Sequence, residues 1–218
     1  MLTAIYRRYY PLWKKYFASY LKNRRFKYID DLVNNALSNQ TNKEKIRVLD
    51  IGCNNGYDFV RLLKDRSNIE VHGVDLDDHK IDQGNFKFLK ADAANLPFPD
   101  KYFDVTVSIG VLEHIEPMEK LSEVINEINR VSKQYVVIVP SIGTILEPHT
   151  VSIFWPMRAI GKKAKHSLLN FMSDEAWGKF KGFSSAEIKR FWYIYPLILN
   201  TAIVRTNKIE EKKFDLAA

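Results

Sequence analysis

Apolar residues in this 218-residue chain gather into short runs separated by polar, glycine-containing turns. Residues 47–51, 69–74, 86–90, 103–109 and 135–139 each read as strands, and the nearly continuous apolar character of several suits strands buried on both faces of a parallel sheet. Segments of helical spacing lie between them. Leu121, Val124, Ile125, Ile128 and Val131 recur every three or four positions, which predicts one amphipathic helix over 118–133. A shorter helix is expected over 57–64. Strand and helix therefore alternate, which predicts an α/β fold: a doubly wound, mostly parallel sheet with helices on both faces. Pro140 stops the fifth strand.

Toward the C-terminus, Ser184, Ser185 and Glu187 carry the cap and third-position acid of a helix N-terminus, predicting a helix into 188–192. Residues 196–204 read as a single final strand at the sheet edge. A charged, mobile tail follows over 208–218. At the other end, Tyr6, Tyr9, Tyr10, Trp13, Tyr16, Phe17 and Tyr20 recur at helical spacing, with Arg7, Arg8, Lys14, Lys15 and Lys22 on another face. This predicts a basic, aromatic amphipathic helix that Pro11 starts or kinks.

The first strand carries the most specific chemistry. Val48-Leu49-Asp50-Ile51-Gly52-Cys53-Asn54-Asn55-Gly56 describes a buried strand ending in a tight turn, where Gly52 lets a ligand approach bare backbone. The following helix would point its N–H groups at that ligand. The second strand ends in Asp75, at the spacing where a carboxylate accepts hydrogen bonds from two ribose hydroxyls. A polar, proline-punctuated loop, Ala91-Asp92-Ala93-Ala94-Asn95-Leu96-Pro97-Phe98-Pro99-Asp100, follows the third strand.

The pieces VLDIGCNNG, VHGVDLDD, KADAANLPFPDKYFDV and SIGVLEHI stand in one order over residues 46–140. That order resembles the class I S-adenosylmethionine-dependent methyltransferases, in particular their type 11-like subgroup, whose fold is Rossmann-like. The resemblance implies that Asp50, Gly52 and Gly56 shape the site for the methionine part of S-adenosylmethionine and that Asp75 holds the ribose. It places Asp92 beside the adenine amino group and the Ala93 backbone near the ring nitrogens, and it brings Leu76 and Ile109 into the cofactor set. The family usually has glycine where this chain has Asn54. Asparagine tolerates positive φ, so the turn can survive, although its side chain takes space near the ligand. A dinucleotide-binding oxidoreductase would also place glycines and an acid here, but residues 52–56 lack the G-x-G-x-x-G spacing and no hydride-transfer dyad follows. A non-catalytic relative that keeps the fold as a binding scaffold is the other alternative.

Charge changes the picture outside those motifs. The chain has 33 basic and 26 acidic residues, a net charge of +7. Residues 1–28 hold eight lysines and arginines and no acid, and 148–173 hold Arg158, Lys162, Lys163 and Lys165, again with no acid. The remainder is net negative. The first segment suits either a lid over the active site or contact with an anionic membrane surface. Nucleic acid is not expected: no RNA-binding module accompanies the tyrosines, and Ser108-Ile109-Gly110-Val111 stands where base amino methylation needs Asn/Asp-Pro-Pro-aromatic. The organisation expected is a helical cap over 1–40 and a methyltransferase domain over 41–218, with a cofactor half at 46–140, a substrate-side insertion at 141–180 and C-terminal elements at 183–206.

No stretch of about 18 uncharged apolar residues and no hydrophobic signal core occur, so a cytoplasmic location is expected, with peripheral membrane contact compatible with it. Cys53 is the sole cysteine and reads as a small packed residue. No metal site is expected, because Glu113-His114 lacks further ligands.

On the substrate side, the stretch from Pro140 through Glu147-Pro148-His149-Thr150 to Trp155-Pro156 resembles methyltransferases of glycan and cell-surface polymer biosynthesis. An oxygen acceptor, whether a small molecule, a glycan or a lipid-linked intermediate, benefits from a base. His149 is the candidate base and Glu147 the group that orients it or binds a substrate hydroxyl. The alternative is a plain turn with an exposed histidine. His114, after the fourth strand, is placed either to face the transferred methyl or to cap the next loop.

Overall fold

The computed structural model describes residues 45–56, 66–79, 84–144, 146–147, 152–153, 170, 172–194 and 198–206, with the isolated positions 30, 31, 34 and 38. Nine strands are seen among these residues: β1 (Ile46–Ile51), β2 (Ile69–Asp75), β3 (Phe86–Lys90), β4 (Phe103–Ile109), β5 (Ser132–Pro140), β6 (Leu146–Glu147), β7 (Ser152–Ile153), β8 (Glu187–Ile194) and β9 (Ile198–Arg205). The helices described are α1 (Met118–Val131) and α2 (Asp174–Gly178), with 3₁₀ turns at Leu112–His114 and Lys181–Phe183.

Seven strands form one sheet in the order β3-β2-β1-β4-β5-β9-β8. The first five are parallel, and β9 runs antiparallel to both β5 and β8. The expected α/β sheet is therefore present, with β1 and β4 adjacent at the point where the strand order reverses. Alternate residues of each strand point to opposite faces, and both sets are buried: Leu49, Ile51, Tyr135 and Val137 on one, Val48, Val105, Val107 and Val136 on the other. Burial on both faces explains the apolar runs that identified these strands.

Helix α1 packs on the face of Leu49, Tyr135 and Val137, burying the five residues that predicted it. Each such side chain contributes roughly 1.5–3 kcal/mol by leaving water. The helix stops at Val131, two residues short of the expected end, because Ser132 and Lys133 join β5. Lys101 closes its C-terminus, donating from Nζ to the Asn129 carbonyl at 2.6 Å and the Ser132 carbonyl at 3.0 Å.

The C-terminal expectation needs correction. Residues 187–194 form strand β8, not a helix, and β8 with β9 makes a hairpin where a single final strand was expected. The helix-start signal at Ser184 and Glu187 was outweighed by the β-branched and aromatic run that follows, which pairs along β9 from Glu187↔Val204 to Ile194↔Ile198. In consequence β9 lies between β5 and β8, and β8 is the edge. The helix cap instead falls at Ser173, whose side chain accepts from the Ala176 N–H to start α2.

The expected helices over 1–28 and 57–64 and the tail over 208–218 lie outside the described residues. Positions 30, 31, 34 and 38 are helical, and the Arg66 guanidinium lies 3.5 Å from the Asp30 carboxylate.

Candidate functional site

In an open parallel sheet, ligands bind beyond the C-terminal strand ends where the order reverses, here between β1 and β4. The turn after β1 is built by three residues in left-handed backbone: Gly52 at φ +71°, Asn54 at +47° and Gly56 at +68°. The Gly52 and Cys53 N–H groups both donate to the Val74 carbonyl, at 2.9 and 3.2 Å, binding the turn to the end of β2. Glycine at 52 has a second cause: a Cβ there would lie 2.3 Å from Val111 Cγ2 in the loop after β4. Asn54 adopts the conformation expected of the family glycine and is exposed, so the departure preserves the turn.

Asp75 joins two of these turns. Its Oδ2 accepts from the Asn54 N–H at 2.9 Å and its Oδ1 from the Asp77 N–H at 3.2 Å. Leu76 beside it is 60% exposed, an apolar platform next to a carboxylate. The Ala91 N–H donates to the Asp75 carbonyl at 3.0 Å, so the loop carrying Asp92 and Ala93 is fastened alongside. Asp92 accepts from the Ala94 N–H at 3.0 Å and from Lys120 Nζ at 2.7 Å. The Lys120 hydrogen bond, with that of Ala94, holds the Asp92 carboxyl below its ordinary range. Asp50 is buried in β1 between Gly73 and Val107, one residue from the end of the strand, and Ile109 ends β4, half-buried. The predicted cofactor residues thus come together at the ends of four adjacent strands.

Cys53 is buried, and burial with the nearby Asp50 and Asp75 carboxylates pushes its thiol up to about 12, so it is inert packing. Ligand atoms of Asp75, Asp77 and His79 lie within 4.8 Å of one another, an arrangement common among exposed acidic groups that hold no ion.

The acceptor side is described in part. His114 ends the 3₁₀ turn after β4, its N–H donating to the Val111 carbonyl at 2.9 Å, with Nε2 4.0 Å from the carboxylate of the fully buried Glu113. Glu147 lies in β6, opposite Ser152 of β7. His149, in the connection 148–151, lies outside the described residues.

Sequence reasoning missed two sets of residues. Asn170 is buried and clamps the His114 turn: its Nδ2 donates to the Leu112 carbonyl at 3.0 Å and the Ile115 carbonyl at 2.5 Å, and its N–H to the Glu113 carbonyl at 3.0 Å. No local signal marks it. Lys120, Glu127 and Arg130 hold the 91–100 loop, and their recurrence on one polar face of α1 was a signal available in the sequence.

Residues 49–139 match the sequence profile of the family described as "Methyltransferase domain". Over that stretch the chain is similar to the methyltransferase-domain family, which supports the resemblance to class I S-adenosylmethionine-dependent methyltransferases. The 27-O-demethylrifamycin SV methyltransferase of Amycolatopsis mediterranei is 31% identical over 80 residues, which cover 32% of this chain and 29% of that protein. The uncharacterized protein MJ0638 of Methanocaldococcus jannaschii is 33% identical over 108 residues, 49% of this chain and 46% of that one. The chain thus spans less than half the length of these curated relatives. Among solved structures, a Methanosarcina mazei S-adenosylmethionine-dependent methyltransferase superposes with a TM-score of 0.54 at 16% identity, covering 77% of this chain and 95% of its own. The PH0226 protein of Pyrococcus horikoshii gives 0.51 at 19% identity, covering 81% and 90%. These structures share the methyltransferase domain's fold.

The methyltransferase-domain match implies S-adenosylmethionine as the cofactor. The described residues fit it. A carboxylate has about four lone-pair positions, and backbone donors take two on Asp75, leaving two for ribose hydroxyls. Exposed Leu76 would offer an apolar surface to a purine face.

Proposed function

We propose that the protein transfers a methyl group from S-adenosylmethionine to an oxygen of a small-molecule, glycan or lipid-linked acceptor. The observation that carries the transferase part is the convergence of Asp75, Leu76, Asp92 and the 52–56 turn at the ends of β1–β4. When bound, the cofactor supplies an electrophilic methyl carbon on a sulfonium that departs as a thioether. The chain's task is then alignment. Asp75 fixes the nucleoside end, and the turn after β1, closed against Val74 and Val111, sets the depth at which the methionine portion sits.

The acceptor reading rests on the Glu147-Pro148-His149-Thr150 segment beyond β5. His149 removes the acceptor hydroxyl's proton as the new bond to carbon forms, and Glu147 orients the histidine or the acceptor. His114 is the second histidine on the acceptor side, with its turn held rigid by Asn170. The basic 1–28 segment supports peripheral contact with anionic membrane, where a lipid-linked acceptor would be met.

Calorimetry with S-adenosylmethionine and S-adenosylhomocysteine tests the transferase part. Both should bind, and Asp75→Ala should weaken each, since a charge-assisted hydrogen bond contributes about 1.5–3 kcal/mol. Absence of heat or thermal shift with either at millimolar concentration would remove the reading. Comparison of metabolites from cells with and without the protein, searched for a methyl mass difference, identifies the acceptor. For the membrane contact, full-length protein should pellet with anionic vesicles at low salt and release as salt is raised, while a chain lacking 1–28 stays in solution. If neither chain pellets with anionic vesicles at low salt, the segment is only a lid.

A further inference from the structure

The loop over 91–102 joins β3 to β4 and carries Asp92 at its start. Helix α1 grips this loop from residues well removed in sequence. Glu127 Oε2 accepts the Leu96 N–H at 2.8 Å, and Arg130 donates to the Leu96 carbonyl at 3.0 Å, the Phe98 carbonyl at 2.7 Å and Asp100 Oδ1 at 2.9 Å. Glu127 and Arg130 lock each other through contacts of 2.6 and 2.7 Å. The third grip is Lys120, a helical turn or two nearer the N-terminus of α1, which meets Asp92 Oδ2 at 2.7 Å.

Lys120 and the Ala94 N–H together occupy one lone pair on each Asp92 oxygen. The carboxylate side chain is still 41% exposed and Lys120 34%, so the remaining lone pairs are open to a ligand. An ion pair this exposed adds little to folding stability. What it does is fix the carboxylate, a group that only accepts hydrogen bonds when ionised, in one orientation. Because Ala91 is bonded to the Asp75 carbonyl, this acceptor stands beside the residue that takes the ribose.

We propose that Lys120 is a positioning residue that holds Asp92 as a permanent acceptor and so makes the cofactor site select a purine bearing a 6-amino donor over one bearing a 6-oxo acceptor. The proposal rests on the S-adenosylmethionine reading. Without Lys120 the Asp92 side chain is held by the Ala94 N–H alone and protonates at higher pH, because the lysine contact is the largest cause holding its carboxyl down. Selection for the amino group then weakens, while the ribose and methionine contacts remain.

Calorimetry on the full chain with S-adenosylhomocysteine and S-inosylhomocysteine tests this, using the parent, Lys120→Met, Lys120→Gln and Lys120→Arg. The parent should prefer the adenosyl ligand. Lys120→Met and Lys120→Gln should lose about five- to ten-fold in adenosyl affinity, with inosyl affinity little changed, the scale expected for one side chain no longer held in place. Lys120→Arg should restore the preference. In the methionine variant, adenosyl affinity should also begin to fall at a higher pH on acidification than in the parent. Unchanged affinities in both neutral variants, or an equal loss for both ligands, would overturn the proposal while leaving the cofactor assignment standing. No binding of S-adenosylhomocysteine by the parent would instead remove the cofactor assignment itself.

Discussion

Gly52 and Asn54 share one turn at the scale of single residues but differ in what they tolerate. Gly52 answers to two constraints, a left-handed backbone and a 2.3 Å approach by Val111, whereas Asn54 answers only to the first. The family's usual glycine is therefore replaceable at 54 and not at 52. The histidines pose the functional question at this scale. If His149 is the base, His149→Ala should leave cofactor affinity nearly unchanged and lower the methylation rate by roughly 100- to 10,000-fold, less at high pH where hydroxide substitutes. His114→Ala should lower thermal stability more than turnover, because it removes the imidazole that lies 4.0 Å from the buried Glu113 carboxylate. Steady-state rates and melting curves of the two variants decide it: full activity in His149→Ala with lost activity in a folded His114→Ala assigns the base to His114.

At the scale of elements, α1 has two working faces. Its apolar face packs on the sheet, and its polar face grips the loop that carries Asp92. The turn at Lys181–Phe183 closes the end of this packing. A Cβ on Gly182 would stand 2.6 Å from the Ile125 carbonyl oxygen and 2.8 Å from Ile125 Cγ2, and the Gly182 carbonyl accepts from the Tyr135 hydroxyl at 3.0 Å. Gly182→Ala should therefore cost about 1–3 kcal/mol, seen as a lower urea midpoint with an unchanged slope. Gly178→Ala is the matched control, since its Cβ would meet Ile188 Cδ1 at an ordinary 3.5 Å. Equal midpoints for the two variants would show that the turn yields without cost.

Across the whole molecule, a charged group sits on a sheet strand far from the cofactor turn. Glu70 of β2 is buried, and burial alone would raise its carboxyl. Contacts with Lys45 at 2.5 Å, Lys87 at 2.9 Å and His72 at 2.7 Å outweigh that and hold it down at about 2, below the ordinary 4.5. A carboxyl depressed in the folded state stabilises above its unfolded value and loses that contribution as pH falls through the folded one. Global stability should thus decline between about pH 4.5 and 2, and the gap between parent and Glu70→Gln in urea unfolding should narrow over the same window. A gap that stays constant down to pH 2 would mean that these contacts add nothing to folding. Local pattern alone determined the five parallel strands, α1 and the residues of the cofactor turns. Each is specified by periodicity over a few residues or by a backbone requirement at one position: apolar runs buried on both faces, a five-residue stripe on α1, a glycine at 52. Tertiary structure decided the rest, because those choices depend on partners distant in sequence. Residues 187–194 became a strand only because β9 was there to pair with them, overriding a good helix cap. Asn170 became a clamp because its segment returns to the turn after β4, and Lys120 acquired its role because α1 lies against a loop 28 residues upstream.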